Sequence, residues 1–365
     1  MQSSTVIDNE SVKRFRCEGC GANVVFDAHS DGLLCSYCRQ SRAVAESGEV
    51  RENDLDDFLA RGMQNLQPMA TSAMQAQCDA CGAIVNFTPP ETATFCAFCG
   101  ANIVAQPKAA DPLVAPNGVL PFRVPADAAM SNFRAWLASL WFAPSNLSQM
   151  ASPDKMASIY IPYWTYDAQT YSEYEGSRGD NYTDWETHTV NGKTETRAVT
   201  KTRWSYASGR VARSFDDVLV AATRSLPTEY LDRLEPWDLE DVKPYEPAYL
   251  SGHRAQAYQL PLDEGFMAFK QRAGEQIEED CRDDIGGDHQ RVSNVDTRYL
   301  DVTFKHLLLP VYAGAYRFDG KTYQMVVNAR TGEVQGGRPY SWLKITALVA
   351  AILLLLLIVI SIVRN

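Results

Sequence analysis

The chain has 365 residues, 45 acidic and 34 basic side chains, a formal net charge of −11 and nine cysteines. An apolar fraction of 45% with 22% charged residues suits folded domains and excludes wholesale disorder. The acidic balance argues against a polyanion-binding protein, because affinity for nucleic acid comes mainly from Lys and Arg neutralising phosphates.

The first residues, Met1-Gln2-Ser3-Ser4-Thr5-Val6, contain no apolar signal-peptide core. Cys17, Cys20, Cys35 and Cys38 then form a C-x2-C pair, fourteen intervening residues and a second C-x2-C pair. Cys78, Cys81, Cys96 and Cys99 repeat that pattern sixty-one residues later. The surroundings repeat too: Cys17-Glu18-Gly19-Cys20-Gly21-Ala22 matches Cys78-Asp79-Ala80-Cys81-Gly82-Ala83. An internal duplication of a short module is implied, giving zinc ribbon 1 over residues 1–45 and zinc ribbon 2 over residues 77–104.

The spacing suits a metal. Two thiolates on a tight C-x2-C turn grip one side of a Zn2+ ion at about 2.3 Å, and the second pair closes a tetrahedron. Gly21 and Gly82 let the backbone turn back towards the ion. Asn23-Val24-Val25-Phe26 and Ile84-Val85-Asn86-Phe87, with Leu33-Leu34 and Thr94-Phe95 returning, read as short strands. All eight cysteines are therefore assigned as ligands of two structural Zn2+ ions, with no coordination position left for catalysis. Iron is the alternative metal, since tetrahedra of four thiolates also hold it. Disulfides would require an oxidising compartment, and a redox C-x2-C would require a βαβ context. His29 reads as a surface-loop histidine, and Cys281, set among Glu278, Glu279, Asp280, Asp283 and Asp284, as a bystander thiol.

Charge decides what such modules contact. Residues 1–104 carry thirteen acids against seven bases, and no Lys or Arg occurs between Arg61 and Lys108. A DNA-contacting face would be basic, so a protein-contact or spacer role is expected.

Residues 46–76 read as a linker with one short helix, in which Asn53 and Asp54 precede Leu55, Phe58 and Leu59 as a cap. Residues 105–118 read as a Pro/Ala linker. The body, residues 119–338, is expected to be antiparallel α+β. A helix over Ala126–Leu140 places Met130, Phe133, Leu137 and Leu140 on one apolar stripe, with Trp136 and Trp141-Phe142 adding bulk. Ile159 to Ala168 is an aromatic, β-branched strand, followed by alternating stretches to Phe215 with a two-residue turn at Asn191-Gly192. Helices are expected at Glu229–Leu234 and Leu262–Ile285, and a final antiparallel set over Tyr299–Val334.

Ala315-Tyr316-Arg317-Phe318-Asp319-Gly320-Lys321-Thr322 mimics a relaxed phosphate-binding loop. A real one leads from strand to helix, whereas Tyr323 to Asn328 reads as a strand and Asp319-Gly320 as a hairpin turn. Glu173 and Glu175 share a strand face, Asp283, Asp284, Asp288 and His289 flank the break at Gly286-Gly287, and His188, His253 and His306 lie far apart. None of these sets forms a catalytic constellation, and no enzyme activity is expected.

Residues 342–363 are expected to form a transmembrane helix. Ile345 to Val363 carries no charge, and nineteen residues at about 1.5 Å each span about 28 Å. Tyr340 and Trp342 lie where an aromatic belt would. Arg330, Arg338 and Lys344 place the N-terminal body in the cytosol by the positive-inside rule, with Arg364 reducing the asymmetry. The expected location is the cytoplasmic (inner) membrane, as a single-pass, C-terminally anchored protein.

The cysteine pairs, Leu120-Pro121-Phe122, Trp141-Phe142-Ala143-Pro144, Tyr160-Ile161-Pro162-Tyr163-Trp164-Thr165-Tyr166-Asp167 and Tyr316 to Tyr323 resemble a bacterial family of membrane-anchored proteins with TFIIB-type zinc ribbons. Its members are often labelled primosomal protein N′ (replication factor Y) or superfamily II helicase, although the helicase ATPase motifs are missing from this chain. The resemblance implies SPFH-domain or phage-shock-type proteins of membrane-stress operons as a partner class. The leading expectation is a non-enzymatic scaffold that recruits a protein partner at the bilayer, without direct nucleic-acid contact. The runner-up is a nucleic-acid-linked accessory or helicase-like replication factor.

Overall fold

Between the first cysteine pairs, β-branched and leucine-rich stretches favour extended backbone. There β1 (Val24–Asp27) and β2 (Gly32–Cys35) form a three-stranded antiparallel sheet with β3 (Ser41–Arg42), which follows Cys38. Next come β4 (Asn53–Asp54) and α1 (Leu55–Arg61), which starts where Asp54 Oδ1 accepts the Asp57 N–H at 2.7 Å. The second cysteine segment contributes β5 (Met74–Gln77), β6 (Ile84–Phe87), β7 (Ala93–Phe95) and β8 (Asn102–Val104), paired β5 with β6 and β7 with β8. The computed structural model describes residues 15–45, 48–61, 74–78, 84–87, 93–96, 98, 101–104, 114–147, 156–190 and 193–364.

The remainder is an α+β body on a mainly antiparallel sheet. Its elements are β9 (Gly118–Val119), α2 (Ala126–Ser139), β10 (Met156–Val190), β11 (Lys193–Ala221), α3 (Thr228–Asp232), β12 (Lys243–Pro244), β13 (Arg254–Ala255), α4 (Leu262–Ile285), β14 (His289–Phe318), β15 (Lys321–Asn328) and β16 (Val334–Gly336). The sheet order is β11-β10-β14-β15-β16, and short parallel pairings add β13 to β10 and β9 to β14. Val114 is buried and its carbonyl accepts from His306 Nδ1 at 2.9 Å, so residues 114–118, within the stretch read as linker, already pack in the body.

Period-two alternation sorts the core onto two sheet faces. Tyr160, Leu308 and Tyr312 pack with α2 and the first cysteine module on one face. Ile159, Ile161, Leu307 and Leu309 pack on the other with Leu231, Trp237, Cys78 and Cys96. Beyond this core β10, β11 and β14 continue as a three-stranded arm. β14 joins it at His289, opposite Gly179, so only β10 and β11 reach the tip. α4 lies along one face of the arm and buries Phe269, Ala273, Ile277, Cys281 and Ile285 at three-four spacing. On the opposite face Trp204 carries the Arg291 guanidinium at 3.8 Å, and Tyr171 and Tyr206 are exposed.

The last helix, α5 (Trp342–Arg364), has 23 residues; within Trp342–Ile362 an 18-residue window has a mean hydropathy of 3.2, and no part of that window is buried against the body. It is long and apolar enough to cross a bilayer, spanning about 34 Å at about 1.5 Å per residue. β14 and β16 both run towards the Asp319–Gly320 turn, and α5 leaves from that end. The β10–β11 hairpin lies at the other.

Several sequence expectations need revision. The strand expected to open at Tyr299 begins at His289, which places His289 in a ladder rather than a loop. The helix expected at Glu229–Leu234 is the shorter Thr228–Asp232. Trp141 and Phe142, read as bulk for the α2 stripe, point outwards: Trp141 is 78% exposed, while Phe133, Leu137 and Leu140 are buried. The phosphate-loop mimic, by contrast, is as read: Ala315–Thr322 is strand, turn and strand, with Asp319 and Gly320 both at positive φ and Phe318 paired with Lys321.

Candidate metal centre

The first module converges four sulfurs. Cys17 and Cys20 flank a turn closed by the Gly21 N–H to the Cys17 carbonyl at 2.8 Å. Cys35 and Cys38 flank another, closed by the Arg39 N–H to the Cys35 carbonyl at 2.9 Å. Gly21 (φ 72°) and Arg39 (φ 62°) both take the left-handed conformation that turns each pair back on itself. Only the glycine was legible as a turn residue in sequence.

The four Sγ atoms lie within 4.8 Å of one another, near enough to bind a metal ion. Cys17 and Cys38 sulfurs are 3.4 Å apart, and those of Cys20 and Cys35 are 3.5 Å apart. A disulfide would need about 2.05 Å, whereas metal–sulfur bonds of about 2.3 Å imply tetrahedral edges near 3.8 Å. The donor set therefore fits a four-thiolate ion. Cys17 and Cys35 are buried, and Cys20 and Cys38 are exposed. His29, on the β1–β2 turn, is exposed and outside this group.

The electrostatics suit a cation. The Cys38 backbone N–H, 3.5 Å from the Cys35 sulfur, draws that thiol down to about 6. Cys38 is pulled down by the Gln40 N–H, yet the Cys17, Cys20 and Cys35 thiols push it up to about 12. One thiolate forms readily and discourages the next. A central cation is what allows all four to ionise.

The second module repeats part of this geometry, the return pairing beside its second cysteine pair, while among the described residues β6 pairs with β5 and not with β7. Thr94↔Ile103 and Phe95↔Asn102 stand sixty-one residues beyond Leu33↔Arg42 and Leu34↔Ser41. The Cys96 N–H donates to the Ala101 carbonyl at 2.7 Å, as Cys35 does to Gln40 at 2.9 Å. Cys78 and Cys96 are buried, while Cys81 and Cys99 lie outside the described residues.

The first module is docked on the body. The Phe26 N–H donates to the Ser251 carbonyl at 2.8 Å, and Ser251 Oγ donates to the Val24 carbonyl at 2.7 Å. The Phe26 ring meets Tyr249 at 5.3 Å, and His253 stacks on Phe122 at 4.1 Å beneath it. Sequence spacing could not reveal this dock, because Ser251 lies more than two hundred residues away. The opposite side is open: Tyr37, between Cys35 and Cys38, is 84% exposed.

Among the described residues, the remaining candidates lie outside the four-cysteine group. Cys281 is fully buried in α4, and burial, with Asp280, Asp284 and Glu278 adding, raises its thiol. Burial pulls His253 and His306 down to about 4, which keeps both neutral. Asp284 accepts the Tyr174 hydroxyl at 2.6 Å, and Asp288 accepts the Asn181 N–H at 2.7 Å. Glu173 pairs with Arg210 at 2.9 Å on the outer arm face. Arg330, counted above among charges near the helix, is instead buried and ion-paired with Asp238 and Asp241. It adds no free positive charge near the start of α5.

No protein-family model matches the chain, and no solved structure matches it. The chain is similar to the uncharacterised protein YdjG of Bacillus subtilis (strain 168), with 24% identity over 344 residues that cover 91% of this chain and 92% of that one.

Proposed function

We propose that the chain is a membrane-anchored, cytosol-facing scaffold whose two zinc-stabilised modules recruit a protein partner at the bilayer. The observation that carries this reading is the four-thiol cluster fixed to a body whose last helix has an apolar window with no buried residue. Four thiolates around one ion leave no open coordination position, so the metal's work is to hold a surface. That surface is the Cys35–Cys38 turn with Tyr37, since the opposite edge of the module is occupied by Ser251. Arg338 and Lys344, the bases flanking the start of α5, favour a cytosolic body. The family resemblance supports an SPFH-domain or phage-shock-type partner and a role in membrane stress.

The test is affinity purification of the full chain from gently solubilised membranes, with metal analysis of the same sample. Two Zn2+ per chain are expected for the native protein and one for Cys35→Ser, with an SPFH-domain or phage-shock-type protein recovered only with the former. Undiminished recovery after Cys35→Ser and Cys96→Ser are combined would sink the recruiting role.

A further inference from the structure

The loop that follows α2 has an unusual combination of order, exposure and placement. Leu140, Ala143 and Leu147 are buried and hold it against the body, while Trp141 is 78% and Phe142 36% exposed. No charged residue occurs from Ala135 to Pro153. A bulky aromatic pair on an uncharged, pinned loop is a poor match for water and a good match for the lipid headgroup boundary, where Trp concentrates.

The loop is also joined directly to the start of the apolar helix. Lys344 Nζ donates to the Ala143 carbonyl at 2.8 Å and to the Trp141 carbonyl at 3.1 Å, and the Ser341 N–H donates to the Phe142 carbonyl at 2.7 Å. Tyr340, Trp342 and Leu343 are exposed beside these contacts. Trp141 and Phe142 thus stand at the level where α5 would meet the bilayer, across three hydrogen bonds from its first turn.

We propose that residues 140–147 form a second membrane contact, with Trp141 and Phe142 seated in the interfacial layer of the leaflet that α5 enters. The occupant is the lipid surface, because the patch is continuous with the helix's own approach to it. The proposal rests on the reading that α5 spans the membrane. Its consequence is mechanical: helix and loop together fix the body's tilt, which one flexible tether would leave free. With the arm tip at the other end of the sheet, the arm is then held away from the bilayer.

The experiment reconstitutes the full chain into phosphatidylcholine vesicles whose acyl chains are brominated just below the glycerol, and reads tryptophan emission against unbrominated vesicles. Trp141 and Trp342 are expected to supply the quenched emission. Trp141→Phe should then remove about half of it, Trp342→Phe the other half, and Trp185→Phe at the arm none, since bromine quenches only rings in contact with lipid. Quenching unchanged by Trp141→Phe but abolished by Trp342→Phe would overturn the loop contact and leave the anchor standing. No quenching in any protein would overturn both. Trp141 is largely exposed, so its conservative replacement does not disturb the fold.

Discussion

Lys305 is 8% exposed and is surrounded by three carboxylates from separate parts of the chain. Its ammonium meets Asp217 at 2.6 Å, Glu52 at 2.9 Å and Asp167 at 3.9 Å. Glu52 belongs to the segment between the cysteine modules, so this cluster, with β4 paired to β14 and Phe58 against Phe304, straps that segment to the body. Burial pushes Asp167 up to about 6, although the Asp217 N–H and Lys305 oppose the shift. The native state then holds this proton more tightly than the unfolded chain, whose Asp titrates near 3.9. The group's contribution to stability is full below about pH 4 and is lost as pH rises through about 6. Lys305→Met should cost about 3 kcal/mol near pH 8, because three carboxylates would face one another without their cation. Urea unfolding near pH 5.5 should show a smaller loss, since protonating Asp167 removes one of the charges. An equal loss at both pH values would show that the lysine acts by packing alone.

At the scale of elements, the arm depends on how closely α4 can approach it. A Cβ on Gly176 would collide with the Arg291 carbonyl and lie 3.0 Å from Ile285 Cδ1, beside the bulge where β10 and β14 shift register. Gly274, on the same helix α4 as Ile285, has open space around it. Gly176→Ala should therefore destabilise by about 1–3 kcal/mol through overpacking, whereas Gly274→Ala should stabilise by up to about 1 kcal/mol through helix propensity. Denaturant midpoints decide both, and the same sign for the two would contradict this packing. These elements also show what was legible beforehand. α4 appears over Leu262–Ile285 as read, because its buried residues keep a three-four rhythm between Pro261 and Gly286-Gly287. The start of β14 was missed because His289 to Arg298 lies in the arm, where most side chains of this stretch are exposed and apolar residues do not alternate with polar ones. Trp141 was misplaced for a related reason: helical spacing identifies an apolar side chain but cannot say whether protein or another apolar phase covers it. Arg39 gave no turn signal at all, since its left-handed backbone is imposed by the turn and not by its residue type.

Over the whole molecule, the cysteine modules are structural members as much as attachments. The first contributes Val24, Phe26, Leu33 and Cys35 to the same core cluster as Phe122, Phe133, Tyr160 and Tyr312. Its dock on Ser251, Tyr249 and His253 spans two parts of the chain that are distant in sequence. Metal binding should therefore be linked to the stability of the body, because an ion that binds only the folded state stabilises by mass action and its four ligands must be deprotonated to hold it. Chelation of the full chain in detergent should lower the main calorimetric transition by about 5–10 °C, corresponding to a few kcal/mol for a body of this size. Restoring Zn2+ should reverse the shift. Phe26→Ala should uncouple the two, leaving a metal-dependent transition of the module and a body transition that no longer responds to chelator, because it empties the aromatic contact through which the strain of an unmade metal site reaches Tyr249. If chelation instead melted a separate early transition and left the native protein's main transition unmoved, the modules would be independent appendages, and the hydrogen bonds of Ser251 to Phe26 and Val24 would contribute nothing to holding the body together.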